Sequence, residues 1–159
     1  MRALTVMGTM ILGIGFAGQP VWATDSPTDP CSLLTTAQLG STLGDKYGAP
    51  EKSVAPRPFA NTVQGTDCHY KTPSGQGQVL FRVYFDASAA QATDLHARLK
   101  AFYGDSTPAT VGDEAYVDKN YAIHVRKGNV RYFLSISNGG TPSGRQQILA
   151  LAGLVAGEL

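Results

Sequence analysis

Two cysteines, Cys31 and Cys68, are the only ones in the 159-residue chain, and both follow an N-terminal segment that reads as an export signal. Residues 1–23 run MRALTVMGTMILGIGFAGQPVWA: one cation at Arg2, an apolar stretch from Ala3 to Ala17, a break at Pro20, then Val21-Trp22-Ala23. Small or β-branched residues at the last and third-last positions suit a signal peptidase and predict cleavage after Ala23, leaving residues 24–159 as a single domain. A retained anchor is the rival reading, but about 20 apolar residues are needed to span a bilayer. This stretch is shorter, so no stable membrane insertion is expected after cleavage. Thr28-Asp29-Pro30 ahead of Cys31 is not a lipobox, which favours a soluble secreted or periplasmic product.

In an oxidising compartment, Cys31 and Cys68 read as a structural disulfide. A redox or metal pair is the alternative, but C-x-x-C spacing and histidine neighbours at ligand spacing are both missing. In the chain-entropy model, closing a loop of this length adds about 4 kcal/mol to stability.

The export segment also takes the charge imbalance with it. The whole chain carries 13 Lys+Arg against 12 Asp+Glu, and the one excess cation is Arg2, so the remaining domain is neutral. That gives no bulk attraction for nucleic-acid phosphate. Ordinary apolar content and scattered Gly and Pro exclude disordered and collagen-like chains. Gly13-Ile14-Gly15-Phe16-Ala17-Gly18 matches G-x-G-x-x-G, but it lies in the export segment with no strand before it, so no dinucleotide cofactor is expected.

Three segments open with a capping signature and continue with helical periodicity. Thr35 and Gln38 form the ends of a capping box ahead of Leu39 and Leu43, and Gly44 stops the run. Ser88 and Gln91 precede a stripe of Ala92, Leu95, Leu99, Phe102 and Tyr103, stopped by Gly104. Ser143 and Gln146 precede Ile148, Leu151, Ala152, Val155 and Leu159. Gln78 to Phe85 alternates as a strand. Tyr121 to Lys127 and Val130 to Ser137 flank Gly128-Asn129, a two-residue hairpin turn. That turn pairs Val125 with Tyr132, Ile123 with Leu134 and Tyr121 with Ile136 on an apolar face. On the other face it pairs Arg126 with Arg131, His124 with Phe133 and Ala122 with Ser135. Thr66 to Lys71, Glu114 to Val117 and Glu51 to Ala55 are weaker strands. Residues 45–65, with Pro50, Pro56 and Pro58, read as a long loop tethered by the cysteine link. The expected fold is α+β: a largely antiparallel sheet of five or six strands, helices covering one side, and one disulfide.

Asp29-Pro30-Cys31-Ser32-Leu33-Leu34-Thr35, Cys68, Val111-Gly112-Asp113-Glu114-Ala115-Tyr116 and the Ala- and Leu-rich C-terminal helix together resemble an exported bacterial family of unknown function. That family is best known from actinobacterial lipoproteins, and the likeness spans nearly all of residues 29–159. The resemblance implies a cysteine bridge and a Mog1/PsbP-like sandwich, and it brings no established activity. The chain departs from the family in lacking the lipobox and in having His69-Tyr70 where Cys followed closely by Trp is expected.

No residue pattern announces an enzyme. Ser143 is not in G-x-S-x-G and reads as a helix cap. His69, His96 and His124 lack metal-ligand spacing, and His96 reads as a helical surface residue, so no metal is expected. Asp113 and Glu114 read as a turn before a strand rather than an acid–base pair, and Asp67 beside Cys68 is ambiguous in the same way. The sharper constellation is Arg126 opposite Arg131, with His124 and Phe133 one pair along and Arg82 on a neighbouring strand. Opposed like charges need an offset: solvent, a carboxylate such as Asp118, or an anionic ligand. The bland reading is a solvated sheet face. The functional one is a basic and aromatic binding face of Arg82, His124, Arg126, Arg131 and Phe133, and the 45–65 loop with Arg57 and Phe59 is a second candidate surface. The sequence therefore points to an exported, non-catalytic binding module for a macromolecular partner or an anionic envelope component, an inhibitor of an extracellular hydrolase being one version. The alternative is a small envelope hydrolase whose site assembles only in three dimensions.

Overall fold

The structure is a computed structural model that describes residues 29–60 and 62–159; the expected export signal and its expected cleavage point after Ala23 lie outside them. The described chain opens with a 3-10 turn at Pro30–Leu33 and helix α1 at Thr36–Leu43. Strands β1 (Glu51–Ala55), β2 (Gly65–Lys71) and β3 (Gln78–Phe85) follow, then helix α2 (Ala89–Tyr103). Strands β4 (Ser106–Ala109), β5 (Glu114–Asp118), β6 (Ile123–Lys127) and β7 (Val130–Ile136) lead into helix α3 at Pro142–Glu158.

The strands form one seven-stranded sheet in the order β1-β2-β3-β7-β6-β5-β4, antiparallel at every step. Two meanders, β1 to β3 and β4 to β7, are joined through α2, which lets β7 close against β3. The sheet exceeds the expected five or six strands because β4 adds an edge. Thr107-Pro108 within β4 has no alternating pattern, and proline is tolerated there because an edge strand has one unpaired side.

Local chemistry sets the helix ends. Thr35 and Gln38 form the reciprocal capping box, and α1 stops at Gly44, whose φ of 83° is left-handed. Ser88 caps α2 by accepting from the Gln91 amide. The cap of α3 is Thr141 rather than Ser143, with Pro142 in the first turn where its missing N–H costs nothing.

Helices cover both faces of the sheet, not one. On the first face, Leu39 of α1 and Ile148, Leu151 and Val155 of α3 bury Phe81, Val83, Val125 and Leu134. The disulfide joins Cys31 to Cys68 across this layer, Cα to Cα 5.8 Å. Beside it the buried Tyr70 hydroxyl donates to the Cys31 and Leu34 carbonyls, at 3.0 and 2.5 Å, so the N-terminal turn is fastened to β2 twice. Tyr132 likewise donates to Ala152 of α3 at 2.6 Å.

The second face belongs to α2. Its stripe of Ala92, Leu95 and His96 is buried, whereas Phe102, expected on that stripe, is 76% exposed. The helical step from 92 through 95, 96, 99 and 103 puts His96 inward, so His96 is a buried residue and not a surface one. Among the described residues no helix is long and apolar enough to cross a membrane.

Candidate functional site

Register builds the α2 side of the sheet. Because side chains alternate, cross-strand partners on one face form rows. One row runs Tyr116, His124, Phe133, Arg82, Asp67 across β5, β6, β7, β3 and β2. The next runs Glu114, Arg126, Arg131, Tyr84. The hairpin register holds where the expectation mattered: Arg126 is opposite Arg131 and His124 opposite Phe133. The strand begins only at Ile123, because Tyr121 takes a left-handed φ of 64° and leaves the ladder.

The opposed arginines are offset by carboxylates, and Asp118 is not among them. Arg131 is 2% exposed, so the face is not solvated there. Its Nε and Nη2 donate to Asp86 at 2.5 and 3.0 Å, and Tyr84 lies under the guanidinium at 4.9 Å. Arg126 donates to Asp113 at 3.0 Å and lies 3.9 Å from Glu114, which joins the start of β5 to the hairpin. Asp113 also accepts the Gly128 amide at 2.7 Å. Arg82 repeats the Arg131 geometry: Nε and Nη2 donate to Asp67 at 2.6 and 2.8 Å, with Phe133 at 5.7 Å.

Asp118 instead holds His124, Nε2 to Oδ2 3.0 Å, and accepts the Asn120 and Ala122 amides at 2.8 and 3.1 Å. Burial pushes the Asp118 carboxyl up, but the His124 ring and the two amides outweigh it and hold it below the usual carboxylate range. The His124 ring stacks on Tyr116 at 4.7 Å and meets Tyr103 of α2 at 4.7 Å and Phe133 at 5.0 Å. His96 reaches the other side of the cluster, 5.0 Å from Tyr116. Burial first, then the positive charges nearby, push the His96 imidazole down to about 4, so at neutral pH it is uncharged.

Between α2, β3, β6, β7 and the segment after β1 lies a cavity of about 210 Å³. Arg82, His124, Arg131 and Phe133 line it, and Arg126 does not. Four of the five residues of the expected face therefore meet in one concavity, and the fifth bridges strands outside it. Phe59 of the 45–65 loop is a wall of the same cavity, held by Arg98 of α2 at 4.1 Å from its ring. Pro56 is another, its carbonyl accepting the Tyr84 hydroxyl at 2.7 Å. The two candidate surfaces therefore meet at this cavity through Pro56, Pro58 and Phe59, while Arg57 is not in its lining.

Sequence reasoning missed His96, Leu99, Tyr84 and Tyr103 as walls of this cavity. The positions of His96, Leu99 and Tyr103 on the α2 stripe carried the signal. Tyr84 follows from alternation with Arg82.

The electrostatics of the cavity are one-sided. Its described lining holds two arginines and two histidines and no carboxylate; Asp67, Asp86 and Asp118, the partners of Arg82, Arg131 and His124, are not part of it. Four buried side-chain polar atoms among the described residues have no hydrogen-bond partner within the protein: His96 Nε2, Tyr116 OH, Arg126 Nε and Arg131 Nη1. Two of them, on His96 and Arg131, belong to residues of the cavity wall. A larger, open groove of about 990 Å³ between β4 and α3 has none of the four in its lining. Among the described residues no group of three or more His, Cys, Asp or Glu could hold a metal ion.

No protein-family model matches the chain, and no curated protein matches it. Among solved structures it is similar to the extracellular domain of PknH from Mycobacterium tuberculosis, at 12% identity over 78% of this chain and 93% of that one, with a TM-score of 0.48.

Proposed function

We propose that this chain is an exported, non-catalytic binding module that takes an anionic component of the cell envelope into the cavity between α2 and the sheet. The observation that carries the reading is the orientation of charge: Arg82 and Arg131 line the cavity while the carboxylates that neutralise them are placed outside it. A buried donor without a partner costs about 1–3 kcal/mol, and a ligand that supplies acceptors recovers that cost. Export is supported by the N-terminal segment and by a disulfide, which persists in oxidising compartments. The likeness of Asp29-Pro30-Cys31 and its following residues to an exported bacterial family best known from actinobacterial lipoproteins belongs to the same proposal.

The hydrolase reading rests on the His124–Asp118 pair. Three aromatic rings surround that histidine, its Nε2 is spent on Asp118, and the described cavity lining contains no Ser, Thr or Cys. A base without an adjacent nucleophile does not support covalent hydrolysis. Asp113 and Glu114, the other acids considered, are committed to Arg126.

The test is co-elution. Protein purified after export is incubated with the small-molecule fraction of cell-envelope extract, separated by size, and its bound compounds are identified by mass spectrometry. A Leu99→Trp variant, whose indole fills the cavity from the half-buried Leu99 position, is the control. An anion retained by the parent and lost from the variant is the expected result. Equal retention by both, or none by either, overturns the assignment of this cavity, and recovery of a cleaved product favours the hydrolase.

A further inference from the structure

We infer that the cavity selects a small organic oxyanion with a planar, ring-bearing body, its negative head held by the free ends of Arg82 and Arg131. This rests on the cavity being the binding site. Both arginines use the same edge, Nε and Nη2, for their aspartates. That leaves Nη1 of each without a hydrogen bond to the protein, buried in the case of Arg131. The two side chains are diagonal neighbours across β3 and β7, since Arg82 pairs with Phe133 and Tyr84 with Arg131. Diagonal positions lie about 7–8 Å apart, and both side chains line the cavity, so the proposed head group is placed between the two arginines.

The aspartates behind them fix the planes of both forks, so little side-chain freedom is lost when an anion arrives. Neither arginine carries uncompensated charge, and bare inorganic anions are therefore not drawn in strongly. The rest of the wall chooses the body of the ligand. Tyr103, Phe133 and Phe59 present rings and Leu99 an aliphatic surface, which favours a flat apolar group over a polyhydroxylated one. His96, a wall residue whose Nε2 has no protein partner, adds a polar atom to an otherwise aromatic and aliphatic wall.

The experiment titrates the exported protein with benzoate, phenyl phosphate, benzyl alcohol and inorganic phosphate, following arginine Nε–Hε and aromatic ring signals by NMR. Benzoate or phenyl phosphate binds with saturable shifts at Arg82, Arg131 and Phe133, about tenfold or more tighter than benzyl alcohol and than inorganic phosphate. Whichever of the two anions is tighter identifies the head group as carboxylate or phosphate. An Asp67→Asn/Arg82→Gln double variant keeps a neutral hydrogen-bonded pair and its melting point, and weakens the favoured anion about tenfold. Arg82→Lys keeps the charge without the planar fork and weakens it several-fold. Equal binding of benzyl alcohol overturns the role of the arginines, and equal binding of inorganic phosphate overturns the role of the rings. No saturable shift by either ring-bearing anion overturns the ligand class; if envelope extract still yields an anion displaced by Leu99→Trp, the cavity reading survives without it.

Discussion

Asp86 and Arg131 are 45 residues apart in the chain, yet they lock edge to edge with the carboxylate wholly buried and the guanidinium almost so. Asp86 directly follows β3 and Arg131 is the second residue of β7, so the pair fastens the junction of the two meanders. The same contact occupies Nε and Nη2 of Arg131 and leaves Nη1 without a protein partner. In the binding role proposed above, one interaction therefore serves fold and site together.

Breaking this pair on one side should be far more damaging than removing it whole. Asp86→Ala leaves a buried cation uncompensated and is expected to cost about 3–5 kcal/mol, whereas an Asp86→Leu/Arg131→Met double variant recovers most of that stability. Thermal unfolding of the three proteins checks the order, and a single variant as stable as the parent would contradict it.

Much of this architecture was legible because it is local. Capping residues at Thr35 and Ser88 act within one turn, and Gly128-Asn129 sets the hairpin register through backbone geometry alone, so Arg126 fell opposite Arg131 as expected. What was not legible depends on distance. The carboxylates that neutralise Arg82 and Arg131 come from 15 and 45 residues away, and nothing in the local pattern selects Asp67 or Asp86 over Asp118. The polar second face looked like a solvent face for the same reason. Its charged groups satisfy one another once paired, which lets α2 bury them.

His96 makes stability depend on pH in a defined window. Its folded value is depressed to about 4 from an ordinary 6.5, so between those values the unfolded chain takes up a proton that the folded domain refuses. Stability therefore falls as pH drops from about 6.5 to about 4 and loses no more to this group below that. A His96→Gln variant should show a flatter melting-temperature profile than the parent across this window. Parallel profiles would show that His96 is not the group responsible.

Gly65 is covered by the Tyr84 ring. A Cβ at this position would lie 2.6 Å from two ring carbons and 2.8 Å from the Val83 carbonyl oxygen. Gly65→Ala must displace Tyr84, which also lines the cavity and supports Arg131. The expected cost is about 1–3 kcal/mol, with ligand binding reduced alongside; chemical denaturation and the benzoate titration measure the two effects on the same protein.

Replacing both cysteines by alanine removes the covalent half of the N-terminal fastening and leaves the Tyr70 hydrogen bonds. The domain should lose about 4 kcal/mol, measured as a lower denaturant midpoint. Reduction of the parent should reproduce most of that loss. A Tyr70→Phe change on top of it should detach the Pro30–Leu33 turn, seen as loss of amide-exchange protection there.

The cavity between α2 and the sheet is the centre of this account, and anomalous diffraction tests it most directly. Crystals of the protein grown with 4-bromobenzoate should show one strong bromine peak between Tyr103 and Phe133, with the carboxylate against the Nη1 atoms of Arg82 and Arg131. A bromine peak only outside this cavity, in crystals where the cavity is open to solvent, would contradict the assignment.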